Sequence, residues 1–372
     1  MVVLRMKALL TATVQSHICQ FHMPLAQMLS SHGYEVHVAA RDDLLGKNGV
    51  TLDFADKVFE PTFTRTPWSL DNIRAFREMK RIINSGDYDV VHCNTPVGSV
   101  VSRLACRKAR KHGTKVFYTA HGFHFYKGAP LINWLLYYPV EWICAHFTDV
   151  LITINREDFE RARKYMHAGR VEYLPGVGVD LKRFADIRVN RREKRSEIGV
   201  PENATLLLSV GELNENKNHQ LVIRALAEIK DPLLHYVIAG QGPMREELET
   251  LAHTLGMADR LHFLGYRRDV AELNQIADAY VLPSFREGLN VSVMEAMASG
   301  LPCVVSKIRG NTDLIDEMGG RLFDPYSEED CRRAIQELLN QKRTELGKHN
   351  AEKVKLFSMD TVIQAMEELY GL

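Results

Sequence analysis

Residues 283–300 read PSFREGLNVSVMEAMASG and follow the apolar run Tyr280-Val281-Leu282. A strand therefore enters a Pro/Ser/Gly loop, and the loop opens directly into a helix. A helix N-terminus presents unpaired N–H groups and the positive end of the helix dipole, which makes it a natural seat for phosphate. Glu287 falls in the loop, and Glu295 falls about a turn and a half into the helix, where it can accept hydrogen bonds from a diol. Phosphate in the middle with hydroxyls on either side is the shape of a nucleotide sugar. The eight-residue spacing alone proves little, because Glu329/Glu337 and Glu337/Glu345 repeat it. The strand–loop–helix context and the small-residue run Ala296–Gly300 set the first pair apart, and the competing reading is an ordinary exposed helix start.

Working outward, apolar runs of strand length alternate with amphipathic helical segments along all 372 residues, the pattern of a parallel α/β protein. In the first half the expected strands are Lys7–Thr13, Glu35–Ala40, Asp89–Cys93, Lys115–Thr119, Val150–Ile154 and Val171–Leu174, with a helix over Phe21–His32 ended by Gly33. The polar, charged segment Asp186–Gly199 carries no strand signal and reads as the domain junction. Strands resume at Thr205–Val210, Leu234–Ala239, Leu261–Leu264, Ala279–Leu282 and Cys303–Ser306. The chain length suits two domains. Two such domains facing each other would bring the carboxyl ends of both sheets to one cleft, where ligands bind in such folds. The loops Thr13–His22, Asn94–Gly98, Thr119–Gly128, Gly211–His219, Gly240–Pro243, Gly265–Arg268 and Pro283–Asn290 all fall at those ends.

Composition is that of a globular protein, 45% hydrophobic and 25% charged with zero net charge. Nucleic acid is not an expected partner. Residues 1–185 hold 24 Lys/Arg against 17 Asp/Glu (+7), and the remainder 23 against 30 (−7). A basic first half suits a lipid headgroup or a diphosphate, and equally suits solvated basic helices. The six cysteines show no CxxC or metal spacing and read as small core residues in a reducing compartment. Met1–Thr13 lacks a signal-peptide pattern. The apolar stretch Leu131–Phe147 is interrupted by Asn133, Pro139, Glu141 and His146, so it is too polar to span a bilayer. It reads either as a buried helix or, through Trp134, Tyr137, Tyr138 and Trp142, as an interfacial one. A cytoplasmic protein, with a peripheral membrane contact through the first domain left open, is the expectation.

Among residues that could do chemistry, Gly211 lets a ligand approach the backbone after the first strand of the second half. Lys217 can neutralise a diphosphate as a point charge, although a lone lysine in a loop is ordinarily just solvated. Gly240-x-Gly242 resembles half of a dinucleotide fingerprint but has Arg245 where the third glycine belongs, which disfavours NAD. His121, at a strand's carboxyl end before Gly122, is placed to bond a substrate hydroxyl or phosphate, against the alternative of a buried structural histidine. Ser16-His17 and Phe21-His22 would line an acceptor side, or else Ser16 caps a helix and the histidines are exposed. Asp87-Tyr88-Asp89 sits at a strand entrance, the wrong edge for a cleft, so it reads as a turn and no metal is expected.

With these loops together, the chain resembles the retaining glycosyltransferases of family 4, with the two-domain GT-B fold. Glu287–Glu295 matches their E-x7-E signature, and Gly300-Leu301-Pro302-Cys303-Val304-Val305 the strand that follows it. Leu174–Asp180 with Phe184 matches their interdomain stretch. The resemblance implies an acceptor-binding domain over 1–185, a nucleotide-sugar-binding domain over 186–356, and a last helix over 357–372 that returns to the first domain. It assigns Glu287 to the donor sugar, Glu295 to the ribose, Lys217 to the diphosphate and the amides of Leu289, Asn290 and Val291 to phosphate, with Gly211, Gly240, Tyr266, Arg286 and Gly288 completing the donor side. His121 would reach the transferred sugar, and Gln15, His17 and His121 the acceptor side; Glu287, His121 and Lys217 are the implied catalytic residues. Glu212 stands where the family carries a diphosphate-binding arginine, which Arg286 or Arg309 would have to replace. The glycine pair usual after the first strand is absent from Thr11–His17. The segment Thr119–Pro130 resembles capsule and exopolysaccharide transferases, whose acceptors are lipid-linked saccharides. The implied reaction is metal-independent transfer of a hexose or N-acetylhexosamine from a UDP-sugar, the donor acting as co-substrate and no cofactor being needed. Two alternatives stay open: a nucleotide-sugar epimerase of the same fold, and a non-catalytic nucleotide-sugar-binding subunit of a transferase complex.

Overall fold

A computed structural model describes residues 5–45, 50–185 and 187–372. The chain divides into two compact units, residues 1–177 with 362–372, and residues 178–361. The first holds a seven-stranded sheet of order β3-β2-β1-β4-β5-β6-β7. Its strands are β1 (Lys7–Val14), β2 (Glu35–Arg41), β3 (Lys57–Phe59), β4 (Val90–Asn94), β5 (Lys115–Ala120), β6 (Val150–Thr153) and β7 (Arg170–Tyr173). The second holds a six-stranded sheet of order β10-β9-β8-β11-β12-β13. Those strands are β8 (Thr205–Val210), β9 (Leu234–Ala239), β10 (Leu261–Gly265), β11 (Ala279–Leu282), β12 (Cys303–Ser306) and β13 (Gly320–Phe323). Every pairing in both sheets is parallel, as successive strand–helix crossovers require.

Both faces of each sheet are covered, which is why the strands read as continuous apolar runs. Alternate residues of β1 feed opposite cores: Leu9 packs with Ala39, Val91 and Tyr118, whereas Ala8, Leu10 and Ala12 pack with Val36, Val38 and Ile18. In the second unit Leu207, Tyr236, Ile238, Val281 and Val304 form one face of the core under the helices His219–Ile229 and Glu328–Leu339. Two edge strands gave no sequence signal. β3 is three residues long and largely exposed. β13 begins at Gly320, where a side chain would strike the Cys303 carbonyl oxygen at 1.8 Å.

Three expectations are corrected. The loop expected after β1 is a helix, Gln15–Phe21, and the single helix expected over Phe21–His32 becomes that helix plus Met23–Ser31. Pro24 lacks the N–H that would continue the ladder, so the chain breaks at His22. The charged segment after Asp186 (itself outside the described residues) is not a free junction. Its helix Arg191–Glu197 is bolted to the second unit by the buried Arg195, which donates to the carbonyls of Ile276 (2.9 Å) and Ala204 (2.6 Å) and to Asp278 (2.7 Å). The change of unit falls between Val177 and Gly178. Third, the helix Leu131–Ala145 is neither wholly buried nor wholly interfacial. Trp134, Tyr137 and Tyr138 pack on the core, while Leu131, Ile132, Leu135, Trp142 and Ile143 are exposed.

The last helix, Met359–Tyr370, packs in the first unit, where the Tyr370 ring stacks on Phe117 at 4.4 Å and its hydroxyl lies 2.7 Å from His92 Nδ1. Asp87 closes the helix Asp71–Gly86 in the left-handed region (φ 48°), and Asp89 accepts from the Lys7 N–H at 2.7 Å. Both are spent on the turn and strand entrance. None of the six cysteines is in a disulfide, and all but Cys19 are buried.

Candidate nucleotide-sugar site and a histidine cluster

In the second unit two loops are stitched into one wall. After β8 the Asn214 side chain accepts from the Lys217 N–H (3.0 Å) and folds Glu215–Lys217 into a single 3₁₀ turn. Asn216 accepts from the Phe285 N–H (2.8 Å) and donates through Nδ2 to the Arg286 carbonyl (3.0 Å). Asn218 adopts a left-handed conformation (φ 52°) and donates to the carbonyls of Pro283 (3.3 Å) and Pro325 (3.0 Å). This asparagine ladder, whose i, i+2, i+4 spacing is visible in the sequence but was not read as a signal, sets Lys217 Nζ 2.8 Å from Glu287 Oε1. Both side chains are about 15% exposed, so the pair is largely shielded yet reachable by a ligand.

The helix expected after the loop is Val291–Ala298, capped by Asn290, whose side chain accepts from the Val293 N–H at 3.2 Å. Ser292 Oγ lies 2.6 Å from the Tyr280 hydroxyl and 3.1 Å from the Val210 carbonyl, tying the helix start to the end of β8 beside Gly211. One turn further, Glu295 is mostly buried. Among the described residues no hydrogen bond reaches its carboxylate, and burial lifts its pKa above the usual range against the pull of Arg183. A buried acceptor of this kind can accept hydrogen bonds from a pair of hydroxyls.

The glycines act at one remove. A methyl at Gly240 would stand 1.7 Å from the Gly211 carbonyl oxygen, and one at Gly242 2.3 Å from that of Leu213. Together they let the β8 and β9 loops lie backbone on backbone, with Leu213 N–H bonding the Gln241 carbonyl at 2.9 Å. At Gly211 itself a methyl would meet Lys217 Cε at 3.2 Å. Of the arginines considered as substitutes at Glu212, Arg286 is exposed, and Arg309 donates to the Glu287 carbonyl (3.0 Å), supporting the loop from below. Tyr266 stands exposed on the loop after β10.

In the first unit His121, at the end of β5, meets His17 and His22 from the first helix and the break after it. His121 Nε2 lies 3.3 Å from His17 Nε2 and 3.1 Å from His22 Nε2. Burial pulls His17 down to about 4, helped by Arg65, and holds His22 and His121 well below the ordinary imidazole range. His17 and His121 border a cavity of about 690 Å³ whose walls are chiefly apolar, among them Phe21, Trp68, Val97 and Tyr137. Glu141 and Tyr118 also line it; Tyr118 donates to Glu141 at 3.1 Å, and the buried Arg103 behind them pairs with Glu141 at 2.7 Å. Sequence reading missed Arg65 and Trp68, which lie in a stretch with no periodicity. Gln15 is corrected: it does not line this cavity, because its buried amide donates to the Ala40 carbonyl (3.3 Å). Ser16 caps no helix; its hydroxyl donates to Asp43 at 2.6 Å.

Comparison with known proteins accords with this picture. The model for glycosyl transferases group 1 matches residues 190–354, and that for Glycosyltransferase Family 4 matches residues 23–183. The chain is 40% identical, over 98% of its length and 96% of the relative's, to the protein named glycosyltransferase EpsD of Bacillus subtilis (strain 168). It is 28% identical, over 80% of its length and 78% of the relative's, to a UDP-Gal:α-D-GlcNAc-diphosphoundecaprenol α-1,3-galactosyltransferase of Escherichia coli. Among solved structures, Anabaena HepE in complex with UDP and glucose superposes with a TM-score of 0.78 at 20% identity, covering 99% of this chain and all of the other. WaaG, a lipopolysaccharide-biosynthesis glycosyltransferase, gives 0.76 at 20% identity, over 98% and 99% of the two chains. Two parallel-sheet units and these matches at both halves establish that the chain belongs to glycosyltransferase family 4 and has the GT-B fold.

Proposed function

We propose that this protein moves a hexose or N-acetylhexosamine from a UDP-sugar to a lipid-linked saccharide, with retention of anomeric configuration, in the assembly of an exopolysaccharide. The observation that carries the reading is the Lys217–Glu287 pair set beside the N-terminus of the helix Val291–Ala298. A diphosphate entering there exchanges with Glu287 for the Lys217 ammonium and meets the helix-start amides. Glu287, released from the lysine, turns to the sugar hydroxyls, and Glu295 takes the ribose diol. Fixed donors of this kind stabilise the charge that grows on the leaving diphosphate, and on this side of the reaction no metal is called for. The departing phosphate can itself accept the proton of the attacking hydroxyl, so no carboxylate nucleophile is needed.

The acceptor side is assigned to the first unit, where His17 and His121 face the apolar cavity. That the Escherichia coli relative is named for a diphosphoundecaprenol-linked acceptor supports a lipid-linked acceptor here. Among the described residues no helix is long and apolar enough to cross a membrane. The exposed face of Leu131–Ala145 instead suits peripheral contact with the inner face of the cell membrane.

The test is release of nucleoside diphosphate from a panel of UDP- and GDP-sugars, with and without lipid-linked acceptors, in the presence and absence of EDTA. Release from one UDP-sugar that requires acceptor is the expected result. Release without any acceptor, or conversion of a UDP-sugar to an isomer, would overturn the assignment.

A further inference from the structure

The two short contacts of His121 Nε2 cannot both be hydrogen bonds. A neutral imidazole nitrogen carries either one N–H or one in-plane lone pair, so it can serve one of the two facing nitrogens and must oppose the other. The sequence thus brings three imidazole nitrogens together from two segments a hundred residues apart and leaves at least one contact unpaid.

A shared cation satisfies all three at once. Neutral imidazole nitrogens bind zinc at about 2.0–2.1 Å, and the edge of a tetrahedron of that radius is about 3.3 Å. The observed edges at His121 are 3.3 and 3.1 Å. All three nitrogens lie within 4.8 Å of one another. The ring centroids form a triangle of 4.6, 5.2 and 5.4 Å, as expected for three rings pointing at one centre. We propose that His17, His22 and His121 form a site for one borderline-soft divalent cation, of which zinc is the representative. Three nitrogen ligands without a carboxylate select Zn²⁺, Co²⁺, Ni²⁺ or Cu²⁺ over Mg²⁺ or Ca²⁺. His22 is buried behind the other two, whereas His17 and His121 border the cavity, so the fourth ligand position faces the cavity. There water, or an oxygen of a bound acceptor, would complete the shell, as in three-histidine sites with an open position. The donor wall, Asp87 and Asp89 take no part in this site. The role assigned to the fourth ligand rests on the proposed acceptor reading, and the binding of the ion does not.

The test uses the full-length protein, stripped with chelator, dialysed and titrated with Co²⁺ and with Zn²⁺, with no sugar present. Expected are one equivalent of bound metal by elemental analysis, the intense visible absorption of a four-coordinate cobalt site, and a Tm that climbs with Zn²⁺ concentration. His17→Gln, His22→Gln and His121→Gln should each weaken cobalt affinity by more than about 100-fold, beyond the loss of an outer-shell partner, and abolish the visible band. Because His22 is buried, far-UV circular dichroism of each variant verifies folding, and the cavity-lining pair His17 and His121 decides the matter if His22→Gln does not fold. His146→Ala/His167→Ala, which removes a second pair of neighbouring rings 5.3 Å apart, should change nothing. No cobalt band in the wild type, or uptake unchanged by the three triad variants and lost in the His146/His167 variant, would overturn the site. Neither outcome bears on whether a UDP-sugar is turned over.

Discussion

Lys217 Nζ and Glu287 Oε1 stand 2.8 Å apart across 70 residues of sequence, with neither side chain more than about 16% exposed. Each satisfies the other, so under the proposed reading diphosphate and sugar part them, and their effects on turnover should be coupled. Lys217→Met removes the only lysine in this wall and is expected to lower kcat by about 10²–10³-fold, the size seen when one preorganised donor to developing charge is lost. Glu287→Gln should fall in the same range, and the double variant should lose less than the product of the two single losses. Steady-state nucleoside diphosphate release from the four proteins tests this; strictly multiplicative losses would mean that the pair does not act as a unit.

Glu295 is raised in pKa by burial and lacks a hydrogen-bond donor among the described residues. Glu295→Gln is expected to weaken UDP binding by roughly 10–100-fold, the worth of one or two hydrogen bonds to a charged acceptor. Calorimetry with UDP and with its 2′-deoxy and 3′-deoxy analogues checks the assignment. Removing the hydroxyl that Glu295 binds should cost the wild type affinity and cost the variant little.

Gly240→Ala would place a methyl 1.7 Å from the Gly211 carbonyl oxygen, a clash that only displacement of the backbone relieves. The expected result is a destabilisation of about 1–3 kcal/mol together with weakened UDP affinity, because the displaced loop carries Lys217. Gly256→Ala, at a positive-φ surface position with open space around it, should lower Tm through backbone strain and leave UDP affinity unchanged.

Several histidines are buried in the neutral form: His17 is depressed to about 4, and His92 and His219 to about 3. The unfolded chain takes up their protons near pH 6.5, and the folded chain does so only well below that. Unfolded protein therefore binds more protons in this window, so stability is full above pH 6.5 and falls as pH drops from 6.5 toward 4. For His17 alone the loss is on the order of 3 kcal/mol across that interval. Denaturant titrations at a series of pH values should show this slope, and His219→Gln should flatten it. A stability flat from pH 7 to 5 would contradict the neutral assignment.

The exposed apolar face of Leu131–Ala145 can be tested apart from catalysis. Leu135→Asp, at a side chain 64% exposed, should leave the unfolding free energy within about 0.5 kcal/mol of the wild type. It should reduce sedimentation with anionic vesicles severalfold. Equal partition of both proteins would locate membrane contact elsewhere or nowhere.

Much of this was legible in the chain. The strands Thr205–Val210, Leu234–Ala239, Ala279–Leu282 and Cys303–Ser306 appear with the bounds their apolar runs suggest, because a strand covered on both faces must be apolar at every position. The helix after Glu287 is equally plain, since the apolar strand, the loop and the Asn290 cap all declare it. The short edge strands β3 and β13 were illegible because an edge strand needs neither length nor apolar character. The break at His22 was overlooked although Pro24 announces it. Gln15 looked like a cleft residue because it follows β1, but the helix that starts there turns its amide toward Ala40.

By itself the sequence determined the parallel α/β architecture and the strand–loop–helix frame of the candidate donor wall. Both depend on local patterns: burial on two faces writes apolar runs, and a phosphate seat needs a strand, a glycine-bearing loop and a helix start in succession. Only the tertiary structure decided which distant side chains meet. Lys217 finds Glu287 because the asparagine ladder zips two loops that follow neighbouring strands of the β8–β11 pair. His17, His22 and His121 converge because parallel pairing brings the ends of β1 and β5 to the same edge of one sheet, with β4 between them. Spacing along the chain carries no trace of such encounters, since strand order, and not sequence separation, sets the distance between loops.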